Sequence, residues 1–315
     1  MIRFGVCSLA QLYANRLEDV FGKQKNIAIE LYDELHRIET TAANDYQEIV
    51  LDRFKFGHVF KRTHRSRFAE FDKATLCAVG EHLGSSNREP LRVHDLAVSD
   101  GRTSLDLYQK LSDIYDDRLH FLSSDILPWV HVISRPRERL KIVTDDTGRV
   151  IELVYPPFVF DLARRESKFY WVNHLARKFL MKRATALSEL FVQGSREIQT
   201  RKIWLLHKKC RGLAENARNF HFEQYNILEP MNRQFDLVRA MNILNTSYFS
   251  SAEIHRILGS AFSSLRIGGL FATGSNEGQG TGVEGGIYLR TTIGFQLVFR
   301  SCSGSQAHDL IANFE

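Results

Sequence analysis

From residue 91 onward the chain alternates short apolar runs with amphipathic stretches, and this constrains its fold more than any other feature. "LRVHDLAV" and "RLHFLSSDIL" read as strands, and between them "RTSLDLYQKL" turns Leu105, Tyr108 and Leu111 to one helical face. "QFDLVRAMNIL" reads as a buried strand. "SAEIHRILGSAFSSLRIGG" follows as a helix with Ile254, Ile257, Leu258 and Leu265 inward and Gly268-Gly269 as its stop. "LFATGSNE" is the next strand, and "GGIYLRTTIGFQLVFRS" is a closing antiparallel hairpin. Strand and helix in alternation predict an α/β fold built on a parallel sheet.

Residues 1–88 read as a helical N-terminal lobe. "NIAIELYDELHRIE" sets Ile27, Leu31 and Leu35 on one face, and "FDKATLCAVGEHL" repeats the period with Leu76, Val79 and Leu83. "GSSNREP" at 84–90 breaks the pattern, so a second domain is expected over 89–315. An insertion at about 127–200 interrupts its alternation. There "DDTG" lies between two alternating apolar runs, a hairpin signal, and a helical stretch rich in basic and aromatic residues follows. The insertion is expected to be mostly helical, a hairpin with one or two helices.

The chemistry concentrates in "RVHDLAVSDGRTSLDLY", residues 92–108, a strand, a tight loop and a helix start. Dinucleotide sites place glycines in such a loop so that the backbone can approach a pyrophosphate at the helix N-terminus. Here Ala97 and Ser99 stand where glycines are expected, and only Gly101 remains. That leaves room for a ligand edge but less for a buried diphosphate. S-adenosylmethionine carries an adenosine and no phosphate, and Asp95, Ser99, Asp100 and Thr103 offer polar groups for its amino-acid end. Asp125, at the end of the second strand, has the spacing of a ribose-binding carboxylate; alone it would read as a helix cap. "FHFEQYNILEP" places Asn226 and Ile227 where an adenine edge can be read, and "FDLVRAMNILNTSYF" ends a buried strand at Met241-Asn242.

With these motifs in order, residues 91–277 resemble the class I S-adenosylmethionine-dependent methyltransferases, and within them the chemotaxis-receptor glutamate O-methyltransferases. That family's A-x-S-x-G loop is matched by "AVSDG" at 97–101, its T-D-I by "SDI" at 124–126 and its N-L-L by "NIL" at 226–228. Its F-D-L-I-F-C-R-N-V-L-I-Y-F is echoed by "FDLVRAMNILNTSYF", and its G-H-S-E by "GSNE" at 274–277. Its N-terminal T-x-F-F-R is echoed by Thr63 and Arg67. The chain departs at Arg102 and Thr103, where the family has acidic residues, at Met241, and in a longer insertion. The resemblance implies a Rossmann-like sheet with S-adenosyl-L-methionine held by Asp95, Ala97, Ser99, Gly101, Thr103, Asp125, Asn226, Ile227, Met241 and Asn242. It implies acceptor-side roles for Arg67 and Tyr248.

A carboxylate acceptor, small molecule or protein side chain, suits this reading, because it is ionised at neutral pH and needs no base. His207 and His221 read as packed or surface histidines. "YPPF" at 155–158 resembles the N/D-P-P-Y loop of amino-methylating DNA enzymes, but Tyr155 cannot replace the amide or carboxylate, so the prolines read as stiffening a loop. A non-catalytic binding or scaffold protein stays open, while the missing G-x-G-x-x-G disfavours a nicotinamide oxidoreductase. The net charge of +5 over 315 residues could serve a nucleic acid, an anionic lipid surface or an acidic substrate, but the excess is small and reads first as a solvated surface; a nucleic-acid partner is not expected. No run reaches the ~18 apolar residues of a membrane span. Cys7, Cys77, Cys210 and Cys302 lie far apart, which fits reduced thiols and a cytoplasmic setting.

Overall fold

The computed structural model describes residues 3–14, 26–38, 40–56, 59–60, 67–84, 90–162, 170–276 and 282–314. Thr63, Glu277 and most of the 84–90 segment lie outside them. The chain forms two compact units, residues 1–62 with 129–206, and residues 63–128 with 207–315.

In the first unit, α1 (Leu9–Ala14), α2 (Glu30–His36) and α3 (Thr41–Arg53) precede a two-residue pairing of β1 (Lys55–Phe56) with β2 (Val59–Phe60). Its core is a five-stranded antiparallel sheet of β5 (Trp129–Ser134), β6 (Lys141–Thr144), β7 (Val150–Tyr155), β8 (Phe158–Asp161) and β9 (Gln199–Trp204), ordered β8-β7-β6-β5-β9. The long helix α6 (Trp171–Val192) lays Leu180, Ala184 and Leu187 on Ile133, Ile142, Leu153 and Phe160 of the sheet. The "DDTG" hairpin lies between β6 and β7 as expected, and "YPPF" turns β7 into β8. The insertion is nevertheless richer in strand than predicted. "WVHVIS" and "FVFD" are short runs of branched and aromatic residues that pair into the sheet, a choice that periodicity alone does not decide at that length.

The second unit is a seven-stranded sheet of β3 (Leu91–Leu96), β4 (Leu119–Asp125), β10 (Phe220–Gln224), β11 (Phe235–Met241), β12 (Leu265–Asn276), β13 (Val283–Arg290) and β14 (Phe295–Ser301). Its order is β10-β4-β3-β11-β12-β13-β14. The first five strands run parallel and the last two form the antiparallel end. This is the mixed α/β architecture the alternation predicts. Helices α4 (Ala69–His82), α5 (Arg102–Tyr115) and α7 (Lys208–Asn216) meet one face through a core that includes Phe71, Leu107, Leu111, Phe121, Phe220 and Leu237. Helices α8 (Ser251–Ser264) and α9 (His308–Ala312) meet the other through Leu96, Leu122, Val238, Leu258, Phe271 and Ile311. Leu105, Tyr108, Leu111, Ile254, Ile257 and Leu258 are all buried as their spacing predicts.

Two expectations need correction. Gly268-Gly269 does not end α8, which stops at Ser264; both glycines lie in β12, where the pairing with β11 slips register. Gly269 has no room for a Cβ, which would fall 2.9 Å from the Arg266 carbonyl oxygen. The boundary near residue 88 also differs from the observed division. The N-terminal helices are divided between the two units: Leu9–Ala14, Glu30–His36 and Thr41–Arg53 belong to the first and Ala69–His82 to the second. Glu30 of α2 ion-pairs with Lys141 at 2.7 Å, whereas Asp72 of α4 ion-pairs with Arg239 in the other sheet.

Candidate functional site at the carboxyl end of the parallel strands

The strand order reverses between β3 and β11, and ligands of such sheets lie beyond the carboxyl ends at that switch point. Ala97, Ser99 and Gly101 follow β3, Asp125 ends β4, Asn226 and Ile227 follow β10, and Met241 and Asn242 end β11. These predicted residues thus share one edge of four adjacent parallel strands.

The loop itself is unusual. Ala97, Ser99 and Gly101 all have left-handed backbones, with φ of 54°, 60° and 78°. The A-x-S-x-G positions 97, 99 and 101 therefore all keep a glycine-like conformation although two of them carry side chains. Asn242 joins them at φ 57°, so three of the six non-glycine residues with positive φ among the described residues sit at this edge. Such conformations cost on the order of 1–2 kcal/mol each and persist where surrounding contacts over-determine them.

Those contacts are specific. Asp125 accepts the Ser99 N–H on one carboxylate oxygen at 2.8 Å and the Leu127 N–H on the other at 3.0 Å. The Val98 N–H donates to the Ser124 carbonyl at 3.1 Å. On the far side, α7 holds the loop's carbonyls: the His207 N–H donates to Asp100 O at 2.9 Å and the Cys210 thiol to Gly101 O at 3.0 Å. A Cβ at Gly101 would fall 3.1 Å from the Cys210 sulfur. Asp100 is buried, paired with Arg102 at 3.0 Å. Within this framework the Ser99 hydroxyl is buried without a hydrogen-bond partner.

Asp95 has a different part from the one expected. It is buried, and its carboxylate receives Nε and Nη2 of Arg239 at 2.9 and 2.6 Å and the Ser104 hydroxyl at 2.6 Å. It therefore anchors the loop from below and offers no open face to a ligand. Thr103 is also buried, and its carbonyl accepts from Arg239 Nη2 at 2.9 Å. Arg239 is fully buried in the central strand β11 and reaches Asp72 of α4 at 2.7 Å. Burial disfavours its charge, but Asp95 and then Asp72 outweigh this and hold its pKa above the ordinary arginine value. Asp72 remains raised by burial despite Arg239 and Lys110. The sequence signal for this cluster was an arginine in the middle of a buried central strand, a residue that is almost never buried unless paired.

At the next strand ends, Asn242 and Asn276 are joined side by side. The Asn276 N–H donates to Asn242 Oδ1 at 2.9 Å, and Asn276 Nδ2 donates to the Arg67 carbonyl at 2.9 Å. This brings Arg67 to the same edge. Its guanidinium is half-buried, its pKa lowered by burial, and no acidic side chain among the described residues pairs with it. Tyr248 is exposed in the loop after β11, and Asn226 folds its side-chain oxygen onto the Leu228 N–H at 3.1 Å. A cavity of about 610 Å³ lined by Arg92, His120, His221 and Arg233 lies at the opposite, amino-terminal half of the strands, away from these loops.

No protein-family model matches the chain, and no curated protein matches it. Among solved structures it is similar to an S-adenosylmethionine-dependent methyltransferase from Clostridium acetobutylicum, at 11% identity over 67% of this chain and 51% of that one, with a TM-score of 0.31. It is also similar to the [4+2]-cyclase SpnF, at 10% identity over 66% of this chain and 47% of that one, TM-score 0.28. A third is the N-methyltransferase NodS from Bradyrhizobium japonicum in complex with S-adenosyl-L-homocysteine, at 9% identity over 78% and 72%, TM-score 0.31. The chain spans about half the length of the first two. Likenesses at these scores decide nothing about activity, which must be argued from the site.

Proposed function

We propose that the chain binds S-adenosylmethionine at the carboxyl edge of its parallel strands and methylates a carboxylate. The observation that carries this is the left-handed Ala97-Ser99-Gly101 loop, closed on Asp125 and holding an unpartnered Ser99 hydroxyl. The small side chains at 97 and 99 disfavour a buried pyrophosphate, while a polar amino-acid end fits the free hydroxyl. Bound there, S-adenosylmethionine supplies an electrophilic sulfonium methyl. An ionised carboxylate has about four acceptor positions. Asp125, which accepts from Ser99 and Leu127 beside the loop, would also receive the ribose hydroxyls. Asn226 and Ile227 would border the adenine, and Met241 and Asn242 the methyl group.

The acceptor reading rests on Arg67, a half-buried cation with no described acidic partner. An incoming carboxylate would supply its missing charge and arrive as a ready nucleophile. The protein's task is then to align acceptor, methyl and sulfur and to exclude water. Tyr248 would border the acceptor. A free acid and a glutamate side chain both satisfy this chemistry.

Calorimetric titration with S-adenosylmethionine and with NAD tests the cofactor. Binding of the former alone is expected, weakened about 10- to 100-fold in Asp125→Ala by the loss of charge-assisted hydrogen bonds. Asp125→Asn, which keeps an acceptor oxygen, should fall between the two. Unchanged affinity in Asp125→Ala would remove the ribose assignment, and binding without turnover of any carboxylate would leave a binding module.

A further inference from the structure

Helix α6 presents an apolar ridge on the side opposite the face it packs. Leu180, Ala184 and Leu187 are buried on the five-stranded sheet, whereas Trp171, Leu175 and Phe179 are 56%, 56% and 74% exposed. The three are spaced i, i+4, i+8. They fall within an arc of about 80° and extend along roughly 12 Å of helix. Single exposed apolar side chains are ordinary; three large ones aligned on one helix face mark a docking surface.

Charge selects the occupant. Lys182 lies in the same arc as the ridge and Lys178 about 20° beyond one edge, Arg183 flanks the other edge, and Arg177 sits beside the packed face. The helix carries no acidic residue before Glu189. Arg183 is paired with Glu138 at 2.7 Å, but no described acid pairs with either lysine. A second copy of the chain would set lysines against lysines. The ridge is also convex, so a protein partner would have to bring a groove, whereas a lipid interface needs none. Tryptophan and phenylalanine among lysines is the composition of helices that lie in the plane of an anionic bilayer surface. We infer that the exposed face of α6 docks this protein on anionic lipid. The contact is peripheral: among the described residues no helix is long and apolar enough to cross a membrane. This inference is independent of the methyltransferase reading.

Flotation of the full chain with vesicles tests it, using phosphatidylcholine alone and phosphatidylcholine with about 30% phosphatidylserine. Binding to the anionic vesicles only is expected. Each lysine near the surface is worth about fivefold, so Lys178→Glu with Lys182→Glu should lower binding at least ~20-fold. Phe179→Ser should lower it about tenfold while leaving circular dichroism and melting unchanged, because the side chain packs on little. Failure to bind anionic vesicles, equal binding to neutral ones, or binding indifferent to both variants would overturn the inference. So would a dimer in light scattering that Phe179→Ser dissociates while vesicles are ignored, which would assign the ridge to self-association.

Discussion

Arg239 gives the sharpest test of how this molecule is held together. Its guanidinium has no exposed surface and meets two carboxylates and one carbonyl, all within 3 Å. Arg239→Met keeps the volume and removes the charge. Asp95 and Asp72 then remain buried without their main partner; Lys110 stays 3.6 Å from Asp72, and Asp95 keeps only the neutral Ser104 hydroxyl among the described contacts. Breaking a buried pair from one side costs about 3–5 kcal/mol, because the stranded charge is worse than no charge. A triple variant with Asp72→Asn and Asp95→Asn should recover most of that loss, since removing a whole buried cluster is close to neutral. The single variant's deficit should also shrink in acid. Asp72 is already raised by burial, and losing Arg239 removes the largest influence lowering it, so it accepts a proton more readily.

The readout must be chosen with care. Trp129, Trp171 and Trp204 are the chain's three tryptophans, and all lie in the five-stranded unit. Their fluorescence does not report on the sheet that contains Arg239. Amide exchange along β3 and β11 does, and protection there should drop at least ~100-fold in Arg239→Met. A change below about 1 kcal/mol, or no recovery in the triple variant, would show that Asp95 and Asp72 are not held as charges by this arginine.

Two further predictions concern the loop and pH. Gly101→Ala should cost about 1–3 kcal/mol in thermal unfolding, since φ is +78° and the new Cβ meets Cys210 at 3.1 Å. Ala97→Gly should cost under ~0.5 kcal/mol, because relief at φ 54° offsets the ordinary entropic penalty of glycine; a larger loss would contradict the left-handed assignment. His94 is buried against Ser124 Oγ at 2.8 Å, and burial, then Arg233, holds its pKa down to about 3. A depressed histidine contributes stability that is full above its unfolded value of about 6.5 and is lost as pH falls toward the folded value. Between those limits the unfolded chain alone takes the proton, so about 1.4 kcal/mol should be lost per pH unit. His94→Gln should flatten urea-derived stability over that window by a similar slope, and an unchanged slope would mean that the ring is charged or exposed.

Much of the second unit was legible because its signals are local. The inward faces of α5 and α8 follow from helical spacing, and the βα order follows from alternation. The terminal hairpin follows from turn residues. The missing parts are long-range. Arg239 finds Asp95 and Asp72 at separations of 144 and 167 residues, which no window along the chain can register. Asp95 therefore read as a ligand group when its carboxylate was already committed. The same limit explains the lobe boundary: whether α4 belongs with α2 depends on Asp72 and Phe71 meeting the seven-stranded sheet.

The strained loop and the buried ion cluster belong to one argument. Ala97 and Ser99 would relax toward ordinary φ values if nothing held them. Their neighbours are fixed on every side: Asp125 takes the Ser99 N–H, α7 takes the carbonyls of Asp100 and Gly101, and Asp95 ties the strand below to Arg239 and Ser104. Structure that over-determines an unfavourable backbone at the switch point of a parallel sheet motivates a binding role for that backbone. It also separates two kinds of residue that a motif reading merges. On the proposed reading Asp125 and Ser99 would border the ligand, and their loss should change affinity. Arg239 and Asp95 set the backbone beneath it, so their loss should appear first in stability and amide protection, and in affinity only as the loop loosens.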